Sequence, residues 1–207
     1  MILAFAGSIA SAVATPSPSA AADALLRRLE ERQRTIKDLE ARFVQSYRSG
    51  AIGREAVERG TVKIKRPGRM LWEYKEPEKK TFVSDGKTFY FYVPADRQVI
   101  VRQQGGERGV AIALLGGEGS LSSQFQPSLE KTPAGADRLR LTPRRPDPDV
   151  DHVFVELDSA LRVTGLEIYD AQGNRSLFRF EGIRENVGLS DRLFRFEIPK
   201  GVEVVSG

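Results

Sequence analysis

Cysteine is absent from the 207-residue chain. That excludes disulfides, thiolate zinc sites, cysteine nucleophiles and a lipid-accepting cysteine near the N-terminus. Histidine is almost absent as well: His152 is the one histidine, so a Ser-His-Asp triad would have to be built on it. The sequence contains no G-x-S-x-G, no H-E-x-x-H and no Walker loop. Gly105-Gly106 and Gly116-Gly117 lack the strand–Gly-x-Gly–helix setting of a dinucleotide fingerprint. Asp147, Asp149 and Asp151 open like a calcium loop. However, the position needing glycine is His152 and the closing position is Asp158 rather than glutamate. A charged loop between strands is the expectation there, with no metal, no cofactor and no enzymatic activity. Long blocks of one charge are also missing. The 32 basic and 28 acidic residues alternate and leave a net charge of +4, so nucleic acid is not an expected partner.

Of long apolar runs there is only the N-terminal stretch Met1–Ala14, too short to span a bilayer. It reads as the hydrophobic region of a secretory signal peptide, followed by a Thr-Pro-Ser-Pro-Ser-Ala linker. Processing motifs end at Ala14 and at Ala22. No Lys or Arg precedes the stretch, so Met1 is expected to lie inside the true signal. Residues 1–22 are therefore set apart as signal and linker, and 23–207 are expected to form a single domain.

What the rest of the chain has is period-two alternation. After an amphipathic helix expected over Asp23–Lys37, with Leu25, Leu26, Leu29 and Ile36 near one stripe, about ten short strands follow at regular intervals. Phe43 lies on the first, from Leu39 to Tyr47. Val62 and Ile64 share a face of the second, and Met70, Trp72 and Tyr74 share a face of the third. Phe82 lies on the fourth. On the fifth, Phe89 and Phe91 point one way and Tyr90 and Tyr92 the other, a pattern expected to be covered on both faces. Asp85-Gly86 is a hairpin turn. Between glycine pairs lies a short apolar run containing Val110, Ile112, Leu114 and Leu115. It is either a core helical turn or a hinged apolar flap over a cavity. Few helices and no βαβ alternation predict a mainly β fold: a strongly curved antiparallel sheet or unclosed β-barrel.

The run Ile64–Val93 contains Arg66-Pro67, Trp72 five residues after that proline, and Val83-Ser84-Asp85-Gly86-Lys87. In combination this resembles the periplasmic outer-membrane lipoprotein carrier proteins, the LolA family. Phe43-Val44-Gln45 and the closing Phe196-Glu197-Ile198-Pro199-Lys200-Gly201-Val202 extend the resemblance over essentially the whole mature chain. It implies an unclosed barrel with a short helical lid over an apolar cavity that holds lipoprotein acyl chains in the periplasm of a Gram-negative cell. It also implies a monomer that receives cargo from an inner-membrane lipoprotein-releasing ABC transporter and delivers it to an outer-membrane receptor. Arg66 matches the family arginine that hydrogen-bonds the lid. Trp72 matches the cavity lining, with Phe43, Val62, Ile64, Met70, Tyr74, Phe82, Phe89 and Phe91 expected beside it. Val110, Ile112, Leu114 and Leu115 match the lid. A carrier of another lipid or glycolipid in a dedicated envelope export system is the alternative.

Overall fold

Alternating strands with one apolar face have to curl around that face, and here they do so as one sheet. The computed structural model describes residues 17–103, 114–115, 119–132, 135 and 137–206. Helix α1 (Pro18–Arg34) comes first. It starts earlier than Asp23 because Ser17 caps it, its Oγ accepting from the Ala20 amide, and Pro18 takes the first helical position, where a missing N–H is harmless. Its buried stripe is Ala22, Leu26, Leu29, Glu30 and Gln33.

Twelve strands follow: β1 (Asp38–Arg48), β2 (Glu55–Lys65), β3 (Arg69–Glu76), β4 (Lys80–Asp85), β5 (Thr88–Val93), β6 (Gln98–Gln103), β7 (Phe125–Lys131), β8 (Asp137–Pro143), β9 (His152–Leu157), β10 (Val163–Tyr169), β11 (Arg175–Glu185) and β12 (Glu203–Ser206). A helical turn, α2 (Leu121–Gln124), precedes β7. The spatial order is β12-β6-β5-β4-β3-β2-β1-β11-β10-β9-β8-β7. Neighbours are antiparallel except β12, which runs parallel to β6. The terminal strands β12 and β7 are not paired with each other, so the sheet is curved but unclosed. Strand β12 was not expected from the sequence: four residues after a turn carry too little periodicity to register.

The concave face holds the main core. Leu26 and Leu29 of α1 pack there with Phe43, Trp72, Leu139, Leu141, Val153, Leu166 and Phe180. Gly60 lies at a bulge between β2 and β3. A Cβ there would lie 2.1 Å from the Glu73 carbonyl oxygen and 2.8 Å from the Phe43 ring, so only glycine permits this approach.

The convex face of β3–β5 has its own cover. Leu71, Val83 and Tyr90 pack under Leu189, Phe194 and Phe196 of the C-terminal segment. Tyr90 and Tyr92 both lie against Phe196, at centroid distances of 5.2 and 5.6 Å. The fifth strand is thus covered on both sides, as its aromatic pattern predicts. Asp191 clasps this segment to the sheet through Lys65 (2.5 Å) and Arg69 (2.7 Å). The hydrogen bond from Lys65, opposed by desolvation and reinforced by Arg69, holds the Asp191 carboxyl below its ordinary range. A carboxyl depressed in the folded state stabilises fully above its unfolded pKa of about 3.9 and loses that contribution as pH falls through the lower folded value. Thermal melts should therefore separate wild type from Asp191→Asn at neutral pH, with the gap closing only on acidification below about pH 4. A gap that closes between about pH 7 and 5 would contradict this clasp.

Candidate functional site

The concave surface of β11, β1, β3, β4 and β5 carries a continuous belt of rings. Phe43 meets Trp72 at 5.0 Å and Tyr74 at 4.8 Å between centroids. Trp72 meets Phe178 at 5.7 Å and Phe180 at 6.2 Å. In the other direction Tyr74 meets Phe82 at 5.7 Å, and Phe82 meets Phe89 at 5.9 Å and stacks on Phe91 at 4.2 Å. Such rings supply large apolar area with few rotamers to freeze. Phe43, Val62, Ile64, Met70, Trp72 and Tyr74 are buried, whereas Phe82, Phe89 and Phe91 are half-buried. The expected lining residues therefore do come together on one face. Phe178 and Phe180, two residues apart on β11, complete the belt. Their alternation was present in the sequence, but nothing local assigned them to this face rather than to another part of the core.

Polar groups sit at one end of the belt. The Tyr74 hydroxyl donates to Gln45 Oε1 at 2.7 Å, and Lys80 pairs with Glu58 at 2.5 Å while lying 4.4 Å from the Tyr74 ring centroid. Burial, and then the Glu58 carboxylate, push the Tyr74 phenol above its ordinary value. It is a neutral hydrogen-bond donor, not a base.

The cover over the other end is α1 together with Leu114 and Leu115, which are helical and buried. Val110 and Ile112 lie outside the described residues. Arg66 opens the β2–β3 connection and donates through Nη1 to the Gln33 carbonyl in the last turn of α1. Gln33, only 5 % exposed, donates in turn through Nε2 to the Leu114 carbonyl. Two hydrogen bonds therefore run in series, from arginine to helix and from helix to Leu114. Burial lowers the Arg66 pKa from its ordinary value, and its Nη2 is buried with no hydrogen-bond partner among the described residues. Gln33 was missed by sequence reasoning. Its one signal is a polar side chain on the stripe that carries Leu26, Leu29 and Ile36. A second tether lies one turn back, where buried Glu30 accepts from the Ser122 amide at 2.9 Å and from the Ser120 and Ser122 hydroxyls at 3.3 and 3.2 Å.

Beneath the cover is an apolar cavity of about 30 Å³, bounded by Ile36, Leu39, Val62, Leu114, Leu115 and Phe180. A dry cavity that admits benzene measures about 150 Å³, roughly five times as much. Here α1 and the two leucines pack into the hollow. Among the described residues no group of three or more His, Cys, Asp or Glu converges as a metal site, and no helix is long and apolar enough to cross a membrane. His152 bonds Asp151 at 2.6 Å and stacks on Tyr169 at 4.5 Å, away from the belt.

Residues 34–197 match the family described as outer membrane lipoprotein carrier protein LolA. An outer-membrane lipoprotein carrier protein from Cupriavidus necator is 30% identical over 198 residues, covering 94% of this chain and 92% of the relative. Its counterpart in Neisseria gonorrhoeae is 32% identical over 148 residues, 71% of each. Among solved structures, a LolA superfamily protein from Nitrosomonas europaea superposes with a TM-score of 0.51 at 15% identity, covering 84% of this chain and 97% of that one. An uncharacterized conserved protein from Thermus thermophilus does so at 0.54 and 16% identity, covering 90% of this chain and 99% of the other. These two likenesses concern the fold.

Proposed function

Because the chain belongs to the family of outer-membrane lipoprotein carrier proteins, we propose that it works in the periplasm, sheltering lipoprotein acyl chains against its concave face while carrying them from an inner-membrane ABC transporter to an outer-membrane receptor. The observation that supports this reading best is the aromatic belt roofed by a cover held through a few hydrogen bonds. A chain of about 14 methylenes loses ~11 kcal/mol when moved from an apolar surface into water. A soluble carrier must hide most of that surface, and an aromatic concavity does so without demanding one shape. The closed hollow is far too small for such a chain, so loading displaces Leu114, Leu115 and the α1 stripe. The acyl chain then takes over the contacts that those side chains make when the protein is empty. Exchange of one apolar filling for another leaves a modest net affinity, which lets cargo be handed on without nucleotide hydrolysis. Arg66, Gln33 and the belt act as binding and latching groups, and no reaction is catalysed.

Native mass spectrometry of protein purified from the exporting cell tests this. A co-purifying triacylated or diacylated lipoprotein is the expected result. A free lipid or glycolipid in its place would move the assignment to a lipid carrier of the same fold, and a protein that never carries an acylated species would end the carrier reading.

A further inference from the structure

The cavity under α1 has a rim unlike its floor. Its floor is apolar, but Arg32, Arg162, Glu185 and Leu161 stand around its edge. Leu161 belongs to the β9–β10 turn, and it has a backbone φ of 58°, the left-handed region that a branched, bulky residue rarely enters. Glycine or asparagine is the usual choice at such a position. The turn does not lack reinforcement. Asp158 accepts from the amides of Ala160 and Arg162, both at 2.9 Å, and from Arg162 Nε at 2.6 Å. The Leu161 amide closes on the Asp158 carbonyl at 2.9 Å. A backbone strained at this point and braced on both sides calls for a function that needs the side chain. Here the side chain helps line the cavity.

A clasp lies over the same spot. Arg32, in the last turn of α1, forks onto Glu185 of β11 with bonds of 3.0 and 2.7 Å, and its Nε donates to the Ala160 carbonyl. One guanidinium therefore ties the helix to the sheet and to the turn together, across the mouth of the cavity. We propose that the gap between the end of α1 and the 158–162 turn is the entrance for an acyl chain, with Leu161 as its plug and the Arg32–Glu185 pair as its clasp. This rests on the carrier reading and deepens it. Arg32 and Arg162 are matched by Glu185 and Asp158, so the rim is polar and charge-balanced. Its guanidinium N–H groups suit a tail whose polar end carries ester oxygens, while the methylenes pass inward to Ile36, Val62 and Phe180. Opening needs no unfolding. Arg32 leaves Glu185 and Ala160, and Leu161 swings aside.

The test is stopped-flow binding of dansyl-undecanoate to the full chain and to three variants, with thermal melts to confirm that each is folded. Leu161→Gly removes the plug at a backbone position that glycine accepts. Glu185→Gln loosens the clasp. Lys131→Ala removes an exposed charge on β7, outside the belt and the cavity lining, and serves as the control. The association rate should rise about two- to fivefold in Glu185→Gln, the range that a part-exposed ion pair converts to, and at least as much in Leu161→Gly. It should stay at the wild-type value in Lys131→Ala. Wild-type rates in both Leu161→Gly and Glu185→Gln would overturn the entrance while leaving the carrier reading in place. Failure of the wild-type protein to bind the probe at all would overturn both.

Discussion

Arg66→Leu is expected to tighten acyl-chain binding by about 10- to 100-fold and to slow release to an acceptor by a similar factor. The effect originates where the cover meets the sheet. There the Arg66 guanidinium donates to the Gln33 carbonyl, and Gln33 holds the Leu114 carbonyl. A charge-assisted bond of this kind contributes about 1.5–3 kcal/mol, and it exists only while the cover is shut. Without it the empty closed state rises in free energy relative to the open, loaded one. Cargo is then retained because the contest for the hollow has been weakened on the protein's side. Leucine fills part of the vacated volume, so the effect is on the latch and not on packing. Equilibrium binding of a fluorescent fatty acid and transfer to acceptor vesicles measure the two quantities. If both match the wild type, Arg66 does not latch the cover. Gln33→Leu should act in the same direction, and the double variant should fall short of the sum, since the two bonds run in series through one residue.

Asp38→Ala is expected to lower unfolding stability by about 3–4 kcal/mol, read from denaturant midpoints at unchanged m-value. Asp38 is only 4 % exposed, yet its carboxylate accepts from three consecutive backbone amides, those of Val187 (2.7 Å), Gly188 (3.1 and 3.2 Å) and Leu189 (3.1 Å). Alanine would leave three N–H groups unsatisfied in a crowded place, each costing part of its desolvation. The loss would not stay local. The chain leaving β11 turns here through Asn186 and Gly188, both at positive φ, before it lays Leu189, Phe194 and Phe196 over the convex face. Asp38→Asn, which keeps one acceptor oxygen, should lose about half as much. A loss below about 1 kcal/mol for alanine would mean that the segment is held by its apolar contacts alone.

The strand faces were legible before any coordinates because side-chain alternation is a property of extended chain. Met70, Trp72 and Tyr74 must share a side, and so must Phe89 and Phe91. What alternation does not carry is which faces meet. Phe178 pairs across β1 with Gln45 and Phe180 with Phe43, a register set by strands more than a hundred residues apart. For that reason the β11 end of the belt went unrecognised. The helix start was misplaced for a different reason: Ser17-Pro18 reads equally as linker or as cap and first turn, and only the burial of Ala22 against the sheet favours the second.

The sequence by itself determined a cysteine-free, mainly β chain with aromatic faces, an arginine set before a proline, and a resemblance that named its family. The composition and the faces follow from local chemistry and spacing, and the family from the likeness of a run of residues to known proteins. Tertiary structure decided how far the sheet curls, that β12 adds in parallel at its edge, that Arg66 bonds the Gln33 carbonyl while Gln33 bonds that of Leu114, and that Leu114, Leu115 and the α1 stripe pack into the hollow. Each of these depends on groups distant in the chain settling into one packing, and no local pattern of residues encodes such a choice.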